Sequence, residues 1–250
     1  MIDIMIDIKY RLIAVICCFI LSSCATHTDV VFNHTPLQIY SSAQKKLKKG
    51  NYIAAIQDLK QLEQDSIFNH AVKAKKVQID LMYAYYKSGN FSTVTIDSFL
   101  KMNPTHPHVD YVLYLRGLSN MEMHSGGVDG FFGLRVASNS CNLEYARAAF
   151  CDFKQLVVHH PNSKYSMDAS KRLIYLKNWL ANYELSVVKY YDRREAYIAV
   201  VNRVEKMLSD FPDTQATRKA IPYMEWAYRQ LQLSVLADTV HKIQVANPIQ

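Results

Sequence analysis

The stretch AYYKSGNFSTVTIDSFLKMNP, residues 84–104, carries the clearest helix-turn-helix pattern of the chain, with a second helix two residues short of the usual count to its proline. Tyr85 and Tyr86 fall on a first helix, Gly89-Asn90 marks a turn, Phe91 stands at the start of a second helix, and Pro104 breaks it. Glycine takes the left-handed conformation that closes a helix, and proline lacks the N–H that would continue one. KKGNYIAAIQDLKQL, residues 48–62, repeats the theme with Gly50-Asn51 at the turn and no proline after it. There Ala55 supplies the small residue that lets two helices cross closely.

Three later segments keep the same frame with weaker turns. EYARAAFCDFKQLVVHHP (144–161) closes at Pro161 with Ala149 at the crossing, AYIAVVNRVEKMLSDFP (196–212) closes at Pro212, and VLADTVHKIQVANP (235–248) closes at Pro248. The unit resembles the tetratricopeptide repeat, a helix-turn-helix of 34 residues. Intervals of 57, 51 and 36 separate Pro104, Pro161, Pro212 and Pro248, so the array carries insertions and lengthened helices. The expected fold is all-α, a superhelical solenoid of five tetratricopeptide-like repeats over 36–250.

Hydrophobic periodicity supports helices independently. Tyr197, Val200, Val201, Val204, Met207, Leu208 and Phe211 recur on one stripe about 120° wide, the pattern of a helix buried on one side. Leu173, Leu176, Leu180, Tyr183 and Val187 do the same in the helix before it. No run alternates with period two for long enough to build a sheet. Seven glycines and seven prolines against seventeen tyrosines also favour helices with aromatic packing. Each helical pair has an apolar face that it cannot bury alone, so neighbours stack and curve around a concave groove.

The amino-terminal segment has a different character. Lys9 and Arg11 precede the uncharged run LIAVICCFIL, residues 12–21, which is too short to span a hydrocarbon core needing roughly 20 helical residues. A basic flank, a short apolar run and small residues describe a signal peptide over 1–23. Leu21-Ser22-Ser23-Cys24 resembles the bacterial lipobox, which implies cleavage before Cys24, acylation of its thiol and of the new amino terminus, and an outer-membrane address, since Ala25 stands where an aspartate would retain the protein at the inner membrane. An ordinary signal peptide with an incidental cysteine is the alternative. Asp3 and Asp7 blemish the basic region, and Met5 offers a second start. They leave together with Lys9 and Arg11, so the formal charge stays at +7. That charge suits anionic lipid or acidic partner surfaces, and a tethered periplasmic chain meets no nucleic acid.

Residues 24–35 read as a lipidated flexible tether: Ala25–Thr35 is polar, lacks periodicity and extends at most roughly 35–40 Å. Residues 124–142, HSGGVDGFFGLRVASNSCN, concentrate Gly126, Gly127, Gly130 and Gly133 and form an insertion between the helices of the third repeat. Phe131 and Phe132 at its centre either tuck onto the parent helices or face a partner. Cys141 and Cys151 are expected as free thiols, because ten helical residues separate them by about 15 Å and a bridge needs roughly 7 Å.

No catalytic constellation is present: HExxH, GxxxxGK(S/T), GxSxG and CxxC are all missing from the sequence. His106 and His108, like His159 and His160, sit at repeat ends without a third ligand, and Asp80 and Asp110 read as partners of neighbouring hydroxyls or arginines. Neither an enzyme nor a cofactor or metal site is expected.

Lipobox, repeats and the stretches YAYYK (83–87), NPTHP (103–107), DYVLYLRGLSNM (110–121), GFFG (130–133), ARAAFCDF (146–153), AVVNRVEKML (199–208) and FPDTQATR (211–218) together resemble the BamD family. These are the tetratricopeptide lipoproteins of the outer-membrane β-barrel assembly machine. The resemblance implies a scaffold whose first repeats, about 36–123, receive unfolded outer-membrane proteins. It implies that the last repeats, about 143–250, dock the periplasmic domains of the barrel subunit BamA, and that the lipoproteins BamC and BamE bind too. Tyr40, Tyr83, Tyr85 and Tyr86 are the groove candidates, with interhelical packing as the alternative for each. Arg203, at the border of its helix's apolar stripe, is implied to contact a partner, with Glu205 beside it. The bland alternative is an intramolecular pair of Arg203 with Glu205 or Asp210. A periplasmic scaffold coordinating cell-wall synthesis with constriction is the rival function.

Overall fold

The structure is a computed structural model that describes residues 35–64, 74–125 and 141–246. Among them are ten helices and no strand: α1 (Pro36–Lys48), α2 (Tyr52–Gln64), α3 (Ala74–Lys87), α4 (Val94–Met102), α5 (Val109–Ser125), α6 (Cys141–His159), α7 (Ser166–Asp192), α8 (Tyr197–Asp210), α9 (Gln215–Gln230) and α10 (Ser234–Ala246). Cys24, Phe131, Phe132 and Pro248 lie outside the described residues, as do most of the tether and of the glycine-rich insertion. Ile39–Gln250 makes one compact unit. In the other, Met1–Gln38, the Thr35 N–H donates to Gln38 Oε1 at 3.0 Å where α1 begins.

The helices pair as five successive hairpins, α1–α2 to α9–α10, as the repeat pattern requires. From α4 onward each helix meets the next, α2 meets α3, and α1 with α2 and α3 with α4 share the buried clusters around Leu59 and Phe99. In addition α3 meets α5 and α7 meets α9, the next-but-one contacts of stacked hairpins. Small residues permit the close crossings: Ala55 and Ala149 are wholly buried, and a Cβ on Gly117 would stand 2.6 Å from Cε1 of the Phe153 ring.

Four of the turns use one device. Gly50 and Gly89 have φ of 75° and 85°, and the following amides, Asn51 and Asn90, donate five residues back to Lys46 and Tyr85 carbonyls at 3.0 Å each. That is the Schellman closure, which satisfies carbonyls orphaned at the helix end. Glu195 (φ 57°) and Gln232 (φ 62°) occupy the same position after α7 and α9, with Ala196 donating to Tyr191 and Leu233 to Tyr228. The later turns look weak in sequence because non-glycine residues take up the left-handed strain.

The core follows the expected stripes with three corrections. Val200, Val201, Val204, Met207 and Phe211 are buried, but Leu208 is 38% exposed, since it lies at the stripe's edge beyond the reach of the neighbouring helices. On α7 the buried row is Leu176, Leu180, Ala181, Glu184, Leu185 and Val188, while Leu173, Tyr183 and Val187 are half-buried. This 27-residue helix packs against α6, α8 and α9 together, so more than one narrow stripe is covered. Phe91 belongs to the link after Gly89, and α4 starts only at Val94, which leaves it nine residues long. Phe91 packs instead on Tyr86, ring centroids 5.8 Å apart.

Candidate functional site

Tyrosines and carboxylates link the first helices of the hairpins into a strip. Tyr40 Oη on α1 donates to Asp80 Oδ2 on α3 at 2.9 Å, and Gln44 Nε2 reaches the same oxygen at 2.7 Å. Lys76 Nζ approaches the other oxygen at 3.3 Å. One helical turn on, Tyr83 meets Tyr52 edge to face at 6.2 Å. It shares a core cluster with Tyr111 of α5. Tyr111 lies 5.1 Å from the Tyr165 ring, which stacks on Tyr114 at 4.9 Å. Tyr114 Oη closes the run by donating to Asp168 Oδ2 on α7 at 2.6 Å. Thus α1 to α3 and α5 to α7 are joined by the same Tyr–Asp bond.

The rings along this strip are half-buried, with one edge on the core and the other in solvent. Burial, then the carboxylate beside it, drives the Tyr40 hydroxyl well above its ordinary value. Burial pushes up Tyr111 as well, and Tyr114 reaches about 12 through burial and its bond to Asp168. Asp168 is held below the usual carboxylate range by its hydrogen bonds from Arg172 and Tyr114. All three hydroxyls therefore stay protonated donors at neutral pH. Such rings offer flat apolar area with a polar tip, the surface that suits an extended polypeptide with aromatic side chains.

The four tyrosines singled out by sequence do not all meet. Tyr40 and Tyr83 belong to the strip, and Tyr86 lies close enough to Glu122 and Arg172 to feel both charges. Tyr85 turns away onto the first-hairpin cluster, beneath Lys60 Nζ at 5.7 Å. Tyr52, Tyr111, Tyr114 and Tyr165 complete the strip and were missed. Their signal was available: 111 and 114 are one turn apart on α5, like 80 and 83 on α3.

Towards the carboxyl end, Arg203 Nη1 on α8 donates to Glu184 Oε2 on α7 at 3.1 Å. Arg147 Nη2 on α6 donates to the other oxygen at 2.7 Å. Glu184 is buried and both arginines are partly exposed. The intramolecular pair offered as the alternative forms, but with Glu184 rather than Glu205 or Asp210, because an inward carboxylate on α7 lies nearer: Glu205 accepts from Tyr228 Oη at 3.2 Å and Asp210 from Lys206 at 2.8 Å. Glu184 was missed for its charge, although 176, 180, 184 and 188 form an unbroken i, i+4 row.

Asp152 on α6 is likewise buried and receives Arg116 Nε and Asn120 Nδ2 of α5, each at 2.8 Å. Burial lifts its carboxyl above the ordinary value against the pull of Arg116. Asp110 accepts from Ser163 at 2.7 Å, and with Asp80 it has the bland role expected of it. His106 packs edge-on against Phe99 at 5.4 Å. Cys151 is a free, exposed thiol, and Cys141 opens the same helix.

A family model described as outer membrane lipoprotein, YfiO, matches residues 33–243. The chain belongs to this family. Its relatives include the outer membrane protein assembly factor BamD of Vibrio cholerae, 38% identical over 232 residues that cover 92% of this chain and 95% of the relative. The protein of the same name from Buchnera aphidicola is 36% identical, covering 85% and 86%. That from Neisseria meningitidis serogroup B is 33% identical, covering 91% and 86%. The matched span takes in the Tyr–Asp strip and the Arg147–Glu184–Arg203 clasp alike.

Proposed function

We infer that this chain is a non-catalytic scaffold of outer-membrane β-barrel assembly, anchored on the periplasmic side by acylated Cys24. Unfolded outer-membrane proteins lie along the strip carrying Tyr40, Tyr83, Tyr111 and Tyr114, with Tyr86 in the same cluster as Tyr83 and Tyr111. The carboxyl-terminal repeats dock the periplasmic domains of BamA through Arg203 with Glu205 nearby, and BamC and BamE join the assembly. Tyr85, packed under Lys60, serves the fold.

The repeated Tyr–Asp bond between first helices carries this reading. It ties Tyr40 to the second hairpin and Tyr114 to the fourth, and an extended client can bury its aromatic side chains against these rings while its backbone meets hydroxyls and carboxylates. Depletion in cells is the test. Loss of assembled porin-type barrels supports assembly; intact barrels with chained cells would support the cell-wall rival.

A further inference from the structure

The turn between α1 and α2 is a cationic tip. Lys45, Lys48 and Lys49 are exposed and have no ion-pair partner among the described residues, whereas Lys46 is held by Asp58 at 2.6 Å. Residues 30–57 contain no Asp or Glu. Lys87, from the neighbouring hairpin, places its Nζ 5.9 Å from the ring centroid of Tyr52 and adds a fourth positive charge. Next to Tyr52, in the first turn of α2, Ile53 is 71% exposed.

We propose that this tip contacts the membrane: Lys45, Lys48, Lys49 and Lys87 bind anionic phospholipid headgroups while Ile53 enters the interface. The proposal rests on the anchoring at Cys24 given above. The chemistry favours lipid over an acidic protein. All four cations are lysines, flexible point charges suited to a fluid headgroup layer, where a fixed carboxylate site would favour arginine forks. An exposed apolar side chain in the first turn of α2, directly after the lysine-bearing turn, combines the apolar insertion and the cationic attraction of an interfacial anchor. The chain length permits it too. The eleven residues Ala25–Thr35 reach up to roughly 35–40 Å, and the 13-residue α1 is about 20 Å long. The chain between the acylated residue and α1 is thus longer than α1 itself, and its length is compatible with a tip at the bilayer that holds the acyl chains.

The test uses the chain from residue 24 onward carrying Cys24→Ser, which has no acyl group. It is floated with vesicles of phosphatidylglycerol mixed with phosphatidylcholine, and with phosphatidylcholine alone. Binding to the anionic vesicles only, lost between about 0.15 M and about 1 M salt, is expected. Each lysine contributes about fivefold, so Lys45→Gln/Lys48→Gln/Lys49→Gln should weaken binding on the order of 100-fold. Ile53→Asp should weaken it independently, with helical circular dichroism unchanged in both variants. Equal binding to the two vesicle types, or variants that bind like the parent, would overturn the proposal. So would a tip that ignores anionic vesicles but is shielded by an acidic envelope protein. Acylation of Cys24 is read separately by mass spectrometry of the membrane-extracted protein, so that the anchor and the tip can fail independently.

Discussion

Arg203 and Glu184 are joined at 3.1 Å across α8 and α7, with Arg147 on the far side of the same carboxylate. The carboxylate is buried and the arginines reach solvent, so the three groups are not equivalent. Removing both cations, Arg147→Ala with Arg203→Ala, leaves an uncompensated buried charge and should cost about 3–5 kcal/mol in denaturant unfolding. Glu184→Leu should be far milder, because the freed arginines can hydrate. A larger loss from Glu184→Leu would contradict this asymmetry.

The same clasp decides how docking through Arg203 should be probed. Arg203→Glu would bring a second carboxylate against Glu184, so a docking defect in that variant would mix with lost stability. Arg203→Lys keeps the charge and loses the planar fork. Its melting temperature should stay near the parent's while capture of the BamA periplasmic domains falls. Unchanged capture would take Arg203 out of the interface.

Tyr114, raised to about 12 by burial and its bond to Asp168, makes stability depend on alkaline pH. Tyr40 and Tyr111 shift in the same direction. In the unfolded chain a tyrosine releases its proton near pH 10. The folded protein holds that proton more tightly, so this contribution is complete below pH 10 and falls as pH rises towards 12. Urea midpoints measured across that window should drop as tyrosinate absorbance grows, and flat midpoints would contradict the strip's burial.

Gly117 faces the Phe153 ring so closely that no Cβ fits. Gly117→Ala gains helix propensity of about 1 kcal/mol. Overpacking costs about 1–3 kcal/mol and outweighs it, because the wholly buried ring has little room to retreat. Calorimetry should show a lower melting temperature for the variant, and an increase would mean that α5 and α6 are less closely packed.

Gln232, at φ 62°, occupies the left-handed position that glycine fills after α1 and α3. Gln232→Gly should stabilise the last hairpin by about 1 kcal/mol, since a side chain in that conformation costs roughly 1–2 kcal/mol. Thermal unfolding of the variant reads this directly, and a loss of stability would contradict the assigned turn.

Much of the architecture was legible because repeats advertise themselves locally. Gly50-Asn51 and Gly89-Asn90 declare turns, and the apolar row of α8 declares a half-buried helix. The turns at Glu195 and Gln232 carried no such signal, since strain borne by an ordinary side chain leaves no compositional mark. The site was legible only in part. Tyr40 and Tyr83 drew notice as tyrosines on first helices, but their company depends on which faces later hairpins turn towards them. Tyr114 with Asp168, separated by 54 residues and a long insertion, is joined only in three dimensions. Glu184 escaped because a charged residue is ordinarily read as solvent-facing, whereas two arginines from flanking helices make its burial tolerable.

Client binding along the tyrosine strip can be read by photocrosslinking in living cells. A photoreactive residue replacing Tyr83 or Tyr111 on the strip is compared with one replacing Val158, which is exposed on the second helix α6. Newly made outer-membrane barrel proteins should be captured from positions 83 and 111 and not from 158. Equal capture from all three, or capture from 158 alone, would contradict a tyrosine-lined face that receives the client.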